Sequence, residues 1–499
     1  MDKWLGYDLE EILNDDPNRS NNISFEDFKL SFVQGDLSLN NVEIIPVSVD
    51  STESILVTVD RFNIEGVSLY KLFFNREIRT ETLLIINPKA TLKLSSKQAV
   101  VGNSTEINKL WEDILTRVTV SDLLVENGQI TIVDEKTSQE QLKMEAIDLM
   151  VTQIEIDTST IDDPFPFKYK DIALSAEQID VNLKEFSIAI PELTATEKTV
   201  RIKKIDVLPK SINSNGQTLT IRTDVLDISH FDWGFDNEEF FLRIKTFEIN
   251  QAGLSVKKEK LISNTGDEKT LLATSLSALP ITLHIDSITI KDSHIAYQKI
   301  NDETNETGTI AFNNVYATAY NITNDSSELT HNKWAMIDIK SRFMNSSSLD
   351  AHFEFDLKST TDAFTGNGKL GKTNLEDLND MLIPLAGVEA SGQLNHFEFI
   401  INGNKYNASG SLEMEYDKIK VAVLNSKKDK KNILFSSLAD IVINNNNDKE
   451  SRSYKIGKIA ASKVRHKSFI HYLWAALKSG ITDIVAPKIS HKKNKKRNK

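Results

Sequence analysis

The chain has 499 residues, of which 40% are hydrophobic and 26% charged, so it can bury a sizeable core and wholesale disorder is not expected. Its length allows two to four ordinary domains or one long repetitive one. Cysteine is absent, which excludes disulfide bonds, thiolate metal sites and a cysteine nucleophile, and the net charge of −13 disfavours nucleic-acid binding by the chain as a whole.

The N-terminal residues predict a short helix at Lys3–Leu13. The opening segment MDKWLGYDLEEIL has four acids between Asp2 and Glu11 and no apolar core, so it is neither a signal peptide nor a transmembrane helix. No later stretch has about 18 uncharged apolar residues in succession. As written, the chain is therefore not expected to cross a membrane.

Alternating apolar and polar residues then predict half-buried strands. The segments 23–32 (ISFEDFKLSF), 36–44 (DLSLNNVEI) and 55–67 (ILVTVDRFNIEGV) place apolar side chains at every second position. This period is typical of antiparallel strands with one apolar and one solvated face. The apolar face changes near Glu26–Asp27, which predicts a β-bulge there. A short helical turn is predicted at 68–74.

The most informative feature is an internal repeat. The segment 115–135 aligns on 279–299 at an offset of about 165 residues. After a hairpin loop that is three residues longer in the second copy, the segment 142–151 aligns on 310–319. The equivalent apolar positions of the two copies are Val118, Val120, Val125, Ile130 and Ile132 in the first and Leu283, Ile285, Ile290, Ile295 and Tyr297 in the second.

A partial third copy is predicted at 83–92 (LLIINPKATL). Its Asn87–Pro88 stands where the two full copies have Asn127–Gly128 and Asp292–Ser293, residue pairs typical of tight turns. Each unit is therefore predicted to be strand, tight turn, strand, loop and strand. Units with one apolar face bury it by adding neighbours, which favours an elongated, mainly β architecture. The alternative is chance similarity between hairpins.

Most of the remaining chain also has the pattern of strands. They are predicted at 176–190, 199–207, 217–229, 239–257, 335–343, 349–358, 392–403, 406–416 and 418–424. A loop is predicted at Gly366–Gly371, a short helix at Asn374–Leu382 that ends before Pro384, and a polar linker at Asn444–Asp448.

The segment GNGKLGKT (366–373) matches both the P-loop spacing and the dinucleotide fingerprint. Both motifs need a buried parallel strand before the glycines and a full helix after them, so that backbone amides and the helix dipole meet the phosphates. The preceding strand, 351–357, instead alternates like a strand with one solvated face. The segment is therefore predicted to be a turn, and nucleotide binding is disfavoured.

No other motif predicts a catalytic, metal or cofactor site. The nine histidines are scattered, and His284 and His294 are interpreted as hydrogen-bonded residues of the sheet. The segment from Asp15 to Ser20 resembles the start of a calcium loop but lacks its glycine and its closing glutamate. The chain is accordingly predicted not to be an enzyme, with no catalytic, metal or cofactor-binding residues.

After the linker the pattern becomes helical, and the charge changes sign. From Arg452 to Lys499 there are fourteen Lys and Arg residues and one acid, so this segment carries +13 and the rest of the chain −26. An anionic surface should therefore attract the C-terminal end and repel the remainder.

The helical segment 468–485 has one apolar face, and a basic tail (HKKNKKRNK, 491–499) follows it. An amphipathic helix with a polybasic end is typical of docking on an anionic membrane. A helix that caps one end of the sheet, followed by a solvated tail, fits equally well. The candidate docking residues are Phe469, Leu473, Trp474, Leu477, Ile481, Lys492 and Lys493.

This order of features resembles the AsmA-like envelope proteins of Gram-negative bacteria. The opening 23–44 is similar to that family's first hairpin, and 79–94 (RTETLLIINPKATLKL) to its strand–Pro–strand signature. The two repeats, with their V-x-N-G-x-I and I-x-D-S-x-I patterns, look like the same unit. The segments 374–421 and 466–485 are similar to its closing element.

The resemblance implies a long, twisted antiparallel β-groove with an apolar concave face, short helices at both ends and no enzymatic activity. Its implied function is to bind or conduct phospholipid between membranes and to support outer-membrane assembly. The implied partners are phospholipid, the membrane surface and other envelope proteins, without nucleic acid. The candidate lining residues are Val118, Val120, Ile130, Ile132, Leu283, Ile285, Ile295 and Tyr297.

The resemblance also implies a periplasmic protein tethered to the inner membrane by an N-terminal helix. This sequence departs from that pattern, so the tether is expected only if an anchor precedes Met1. The alternative function is a structural scaffold of the envelope with a closed protein core and no lipid cargo.

Four segments are predicted along the chain. They are an N-terminal helix with the first part of the groove (1–110), repeat one (111–265), repeat two with the closing element (266–443), and the linker, amphipathic helix and basic tail (444–499).

Overall fold

The computed structural model describes most of the chain. The described residues are 10–11, 14–15, 21–31, 33–47, 54–68, 77–94, 117–157, 167–212, 216–236, 239–258, 268–301, 305–423 and 446–485. The chain divides into two compact units, of which the first comprises Met1–Lys210 and Arg222–Phe240 and the second Ser211–Ile221 and Phe241–Lys499. Most of the helix predicted at Lys3–Leu13 and of the turn predicted at 68–74 lies outside the described residues.

The elements with defined bounds among the described residues of the first half of the chain are strands. They are β1 (Asn21–Ser24), β2 (Asp27–Ser31), β3 (Asp36–Pro46), β4 (Ser54–Glu65), β5 (Glu77–Ile86), β6 (Lys89–Leu94), β7 (Arg117–Asp134), β8 (Glu140–Asp157), β9 (Asp171–Asn182), β10 (Phe186–Thr196), β11 (Thr199–Pro209) and β12 (Gln217–Asp236).

The second half adds twelve described strands and four described helices. The strands are β13 (Glu239–Asn250), β14 (Gly253–Lys258), β15 (Thr282–Ile300), β16 (Thr307–Thr323), β17 (Trp334–Phe343), β18 (Ser347–Asp356), β19 (Phe364–Leu370), β20 (Thr373–Asn374), β21 (Val388–Gly403), β22 (Asn407–Val423), β23 (Asn446–Asn447) and β24 (Gly457–Ser462). The helices are α1 (Leu272–Ser277), α2 (Ser326–His331), α3 (Asn379–Ala386) and α4 (Phe469–Val485).

The predicted fold class, mainly β with repeated strand units and short helices, is confirmed, but the sheet is mixed rather than purely antiparallel. In the first unit β5 and β6 both run parallel to β7, and in the second unit β13 and β14 run parallel to β15. Parallel neighbours need a crossover connection. The segments 95–116 and 259–281 provide that length, and the second contains α1.

The prediction of a tight turn within each repeat is wrong. Strand β7 continues through Asn127–Gly128 as one strand of 18 residues, and β15 continues through Asp292–Ser293. Both sites are β-bulges, where the register against the next strand shifts. Asn127 and Asp292 have φ angles of 52° and 46°. Tight hairpin turns and some bulges both require left-handed backbone. The residue types alone therefore predicted a turn where the structure has a bulge.

The segment predicted as a third copy is the strand that pairs with β7. Strands β5 and β6 keep the same register against β7 on both sides of Asn87, so they form one bent strand. The Asn87 N–H donates to the Glu126 carbonyl over 2.9 Å, and the Gln129 N–H donates to the Pro88 carbonyl over 2.8 Å. In the second unit Gln251 donates to Lys291 over 3.0 Å and His294 to Ala252 over 2.7 Å, so this arrangement recurs there.

Positive φ angles give further evidence that the repeat is real. Ala146 (45°) and Gln153 (53°) on β8 correspond to Asn314 (47°) and Asn321 (56°) on β16, each 168 residues later. That offset is three residues more than the offset between β7 and β15, as the longer hairpin loop requires. Chance similarity between hairpins would not reproduce the same sequence of backbone irregularities.

The bulges explain why the apolar spacing changes along a strand. Val120 and Leu123 on β7 are three residues apart, as are Val151 and Ile154 on β8, yet all four belong to one apolar cluster. Gln153, with its left-handed backbone, lies between the two β8 residues. Each irregularity reverses the side to which the next residue points. The spacing of three therefore keeps the apolar residues on one face.

Four other predictions differ from the structure. Gly366–Gly371 is mostly strand β19 rather than a loop, and the helix expected at Asn374–Leu382 is a 3₁₀ turn (Leu375–Leu378) followed by α3, which contains Pro384. The end of the predicted linker forms β23, which pairs with β22. Strand β22 joins the two strands predicted at 406–416 and 418–424 through Lys418, whose φ is 55°.

Candidate functional site

The candidate lining residues of repeat one lie on the apolar face of β7, in two clusters. Val118 and Val120 belong to the cluster around Val151 and Ile154 on β8. Ile130 belongs to a second cluster around Ile147 of β8 and Ala176 and Ile179 of β9. The structure therefore brings these three residues onto a shared face, on which Val120 is buried and Val118 and Ile130 are half-buried.

Ile132 extends this face towards the end of β7. It pairs in register with Leu142 on β8 and with Leu92 on β6, so apolar side chains flank it on both sides. Ile132 is also only half-buried. The apolar face of repeat one is thus continuous from β6 to β9, and much of it remains accessible.

The first two lining residues of repeat two occupy equivalent positions on β15. Leu283 pairs with Leu242 of β13, and Ile285 lies between Ile244 of β13 and Ile322 of β16. Ile244, Ile285 and Ile322 are each at most 9% exposed, whereas Leu283 is half-buried. This part of the face is better covered than its counterpart in repeat one.

The other two lining residues of repeat two lie beyond the bulge of β15. Ile295 lies between Leu254 of β14 and Phe312 of β16, and both Ile295 and Tyr297 are half-buried. Burial raises the pKa of the Tyr297 phenol, so this group stays neutral at physiological pH. At the start of β16, α3 covers the sheet, because Leu385 packs over Gly308.

Strand register carries the same face onward through the second unit. Ile337 on β17 lies opposite Ala319 on β16 and Phe353 on β18, and Phe353 lies opposite Gly366 on β19. Gly366 in turn lies opposite Ile401 on β21. Strands β18 to β24 are called the closing element below.

In the closing element the face is sealed by helix α4. Ile401, Leu412 and Ile459 of the strands are 0% exposed, and so is Ala476 of the helix. Tyr472 is 2% exposed, and its hydroxyl donates to the Asn404 carbonyl over 3.2 Å. This region is an ordinary closed protein interior.

Two contacts fix α4 on the closing element. Gly457 and Gly480 meet backbone to backbone, because a Cβ atom at Gly457 would collide with the Gly480 carbonyl oxygen. Asp483 accepts a hydrogen bond from the Lys458 N–H over 3.0 Å and forms an ion pair with Lys455 Nζ over 3.0 Å. These two interactions hold the pKa of the Asp483 carboxyl below its usual value.

The candidate docking residues divide between the two faces of α4. The Phe469 ring packs edge-on against Phe353, Phe355 and Phe364, with centroids 5.2–5.7 Å apart. Trp474 is 52% exposed. Leu473, Leu477 and Ile481 are half-buried. Lys492 and Lys493 lie outside the described residues. The capping arrangement is therefore present, and much of the apolar face predicted to dock contacts protein.

Sequence reasoning missed the aromatic cluster that receives Phe469 and the strong exposure of Ile470 (70%), the next residue of α4. The phenylalanines at 353, 355 and 364 follow strand periodicity and carry no signal of their own. The i, i+4, i+8, i+12 series Tyr472, Ala476, Gly480 and Ile484, the most buried row of α4, could have been recognised from its small residues.

The P-loop-like segment has a packing explanation. Gly366 and Gly368 lie on the inner face of β19, between antiparallel strands β18 and β21. A Cβ atom at Gly368 would lie 2.6 Å from Cε1 of Phe399, and one at Gly366 would collide with the ring of Phe353. The glycines make room for these rings, and the parallel strand and helix that a phosphate loop requires are not formed around them.

The histidines and acids of the described ranges make local contacts. His284 Nε2 lies 2.6 Å from Asp286 Oδ1, and His294 Nδ1 lies 2.5 Å from Asn313 Oδ1. Among the described residues, no group of three or more His, Asp and Glu side chains has the arrangement of a metal site. Nor does any helix within these ranges combine the length and apolarity needed to span a bilayer.

Comparisons with known proteins give little guidance. No family model and no curated protein matches the chain. Among solved structures, the outer membrane protein opdK from Pseudomonas aeruginosa aligns over 74% of this chain and 89% of its own, with 8% identity and a TM-score of 0.12. A TM-score this low carries no argument about fold or function.

Proposed function

We propose that this chain is a non-enzymatic protein that binds phospholipid along the apolar face of its repeats. In this proposal it moves phospholipid between membranes of the Gram-negative envelope and supports outer-membrane assembly, as the resemblance to AsmA-like proteins implies. It works in the periplasm, held at the inner membrane if an anchor precedes Met1. Phospholipid, the membrane surface and other envelope proteins are its partners.

The observation that supports this proposal is a contrast between two parts of the apolar face. In the closing element, where α4 packs on β22 and β24, Ile401 and Leu412 are 0% exposed. Along the repeats, Ile130, Ile132 and Ile295 on the equivalent face stay half-buried. Exposed apolar surface that continues from strand to strand is costly in water and is typical of a binding surface. A bound apolar ligand would therefore bury more exposed apolar surface here than in the closing element.

Acyl chains suit this surface because it is long, apolar and without a specific pocket. Each methylene that leaves water contributes roughly 0.8 kcal/mol, so a few carbons along the face already give appreciable affinity. The exposed polar side chains beside it, such as Asn127 and Asp292, lie at the bulges. A headgroup could remain in water while its chains lie on the strands, which would allow lipid to move along the face.

The lack of cysteine permits a direct test. A single cysteine at Ile130 or Ile295, modified with benzophenone maleimide, places a photoreactive group on the proposed lipid face. Matched controls are Met150 (43% exposed) and Tyr316 (50% exposed), which point to the other face of β8 and β16. We expect phospholipid to cross-link at Ile130 and Ile295 but not at the controls, as measured by mass spectrometry of protein purified from Gram-negative cells.

Equal cross-linking from both faces would indicate nonspecific adsorption and contradict the proposal. A correctly folded protein that cross-links no lipid from Ile130 or Ile295, and that carries no phospholipid in an organic extract, would contradict it as well.

The second candidate is an envelope scaffold without lipid cargo, and the sealed closing element favours it. If protein covers the repeats in the cell as α4 covers the closing element, the same labels at Ile130 and Ile295 should cross-link to a protein instead of to phospholipid. The photo-cross-linking experiment therefore separates the two candidates in one measurement.

A further inference from the structure

One end of the second unit gathers exposed apolar side chains that neither the closing element nor the repeats use. They are Tyr406 (60% exposed), Val464 (45%), Ile470 (70%) and Trp474 (52%). Ile470 and Trp474 are four residues apart on α4 and therefore project from the same side of the helix. Large apolar side chains are usually buried, in the protein or against a partner. The concentration of exposed ones at this end therefore requires an explanation.

Backbone hydrogen bonds hold these residues together. The Lys463 N–H donates to the Tyr406 carbonyl over 2.8 Å, and the Lys467 N–H donates to the Val464 carbonyl over 3.0 Å. The Tyr472 hydroxyl donates to Asn404 and so ties the first turns of α4 to the loop that carries Tyr406. The four apolar residues thus project from adjoining segments of a fixed framework.

The same end is basic. Lys405 Nζ lies 5.5 Å from the centre of the Tyr406 ring, and Lys463 Nζ donates to the Lys269 carbonyl over 2.6 Å. The acid beside them, Glu268, is paired with Arg465 at 2.7 Å, and this ion pair is the main reason that the pKa of Glu268 is lowered.

A second group of cations lies around His471. Burial lowers the pKa of His471, and the neighbouring Lys467, His466 and Lys258 lower it further. A basic side chain that is made less basic by its neighbours lies in a region of positive potential. The positive character of this end is therefore a property of several converging segments.

We propose that this end of the second unit, defined by Tyr406, Val464, Ile470 and Trp474 with Lys405, Lys463, Arg465 and Lys467 and called the basic rim below, docks on an anionic membrane surface. The inference rests on the proposed function in taking the membrane surface as a partner, but it is independent of lipid binding along the repeats, because docking needs no lipid there. It also restricts the docking surface to the exposed edge of the predicted apolar face of α4, where Ile470 and Trp474 lie, because Phe469 packs against the closing element.

Charge and side-chain type both favour a lipid surface. Interfacial binding combines apolar side chains inserted at the headgroup boundary with Lys and Arg attracted to anionic lipid, and Trp and Tyr are preferred at that depth. Val464 and Ile470 are aliphatic and cannot stack on nucleic-acid bases. The sequence that follows α4 ends in HKKNKKRNK, which adds positive charge to this part of the chain.

The test is co-flotation of the full chain with vesicles of phosphatidylcholine, with and without phosphatidylglycerol. The variants are Ile470→Ser, Trp474→Ser and Lys467→Glu, and the matched control is Ile456→Ser, a 50% exposed residue next to the other end of β24. We expect binding only to the anionic vesicles. Each serine variant should weaken it about tenfold through lost apolar insertion, and Lys467→Glu about 30-fold through the reversed charge.

The control should bind like the unmodified chain. Ile470, Trp474 and Ile456 are each at least 50% exposed and Lys467 is half-buried, so the variants should keep the unmodified melting temperature, which separates lost docking from lost folding. Cross-linking of phospholipid at Ile295 should also persist in the Trp474→Ser variant, so docking and lipid binding along the repeats can fail independently.

Three results would overturn the proposal. The first is unchanged vesicle binding by the Ile470→Ser and Trp474→Ser variants, which would leave the tail or another surface as the contact. The second is equal binding to neutral and anionic vesicles, which would remove the role of the lysines. The third is binding of an acidic protein through the rim without any vesicle binding. This result would assign the surface to a protein partner and contradict docking on a membrane.

Discussion

The side-chain amide of Asn127 donates to Oδ1 of Asn87 over 2.7 Å and so joins the bulge of β7 to the bend between β5 and β6. Asn87 in turn donates to Asp60 on β4 over 2.8 Å, and the Asn127 N–H donates to Asp148 on β8 over 2.9 Å. Polar side chains therefore connect four strands of the first unit. The row lies where the backbone departs from regular pairing and would otherwise leave polar groups unsatisfied.

This row predicts the effect of substituting Asn127. Asn127→Val should destabilise the surrounding strands by about 2 kcal/mol, because a β-branched residue tolerates the left-handed backbone poorly and the amide hydrogen bond is lost. Faster hydrogen exchange of the β7 and β8 amides would measure this loss. Asn127→Gly keeps the backbone conformation and should stay within about 1 kcal/mol of the unmodified chain. Equal effects of the two substitutions would refute the role assigned to the bulge.

The packing explanation for the P-loop-like segment makes a second prediction. Gly366→Ala should destabilise the closing element by about 1–3 kcal/mol, since its Cβ would collide with the Phe353 ring. Gly253→Ala is the matched control, because nothing lies within 4 Å of a Cβ there. Combining Gly366→Ala with Phe353→Leu should cost less than the sum of the two changes in denaturant unfolding. A purely additive result would show that the ring is not the reason for the glycine.

Contact between α4 and β24 allows a graded test. Gly457→Ala would push a methyl group into the Gly480 carbonyl, so α4 must shift, and we expect a loss of about 2–3 kcal/mol. Gly480→Ala meets Leu412 Cβ at 3.0 Å and Ile459 Cγ1 at 3.1 Å and should cost about 1 kcal/mol. Protection of α4 amides from hydrogen exchange should fall in that order. Unchanged protection in Gly457→Ala would contradict the close approach.

Tyr472 predicts alkaline sensitivity of the closing element. Burial raises the pKa of its phenol from 10.0 to about 12. The folded state thus favours the neutral phenol, whereas the unfolded chain ionises from pH 10 upward. The contribution of Tyr472 to stability is fully present below pH 10 and is lost as the pH rises through about 12.

The free energy of unfolding, measured from pH 9 to 12, should therefore fall less steeply in Tyr472→Phe than in the unmodified chain. Burial and the neighbouring Glu413 also raise the pKa of Tyr454 to about 12, so part of the slope should remain. Tyr406→Phe removes an exposed phenol and serves as the control. If its slope changed as much as that of Tyr472→Phe, the buried phenol would not be the cause.

Much of the fold could be predicted because a half-buried strand requires apolar and polar residues to alternate along the sequence. Alternation predicted most of the strands, although the single strand predicted at 176–190 is the hairpin of β9 and β10. The equivalence of Val118 with Leu283 and of Ile130 with Ile295 predicted the repeat that the backbone irregularities support. The bulge expected near Glu26–Asp27 is not formed: β1 ends at Ser24 and β2 begins at Asp27, but both strands keep the same register against β3, so the strand is interrupted without an extra residue.

The errors have a common physical origin. Asn127–Gly128 and Gly366–Gly371 were interpreted from residue types that permit unusual backbone or close approach. Those types state what a position tolerates, but they do not state whether the chain reverses, bulges or makes room for a ring. Only the neighbouring strand decides this: the register against β8 shifts at Asn127 and makes it part of a bulge, and Phe353 opposite Gly366 makes that glycine a packing site.

The sequence by itself determined that the chain is mainly β, that its strands keep one apolar face and that its C-terminal end is basic. These properties are encoded in neighbouring residues, through period and charge. Only the tertiary structure decided that β5 and β13 run parallel to the strands of the repeats, that α4 seals the closing element, and that Ile470 and Trp474 project outward. These outcomes depend on contacts between residues far apart in the chain, which no local pattern records.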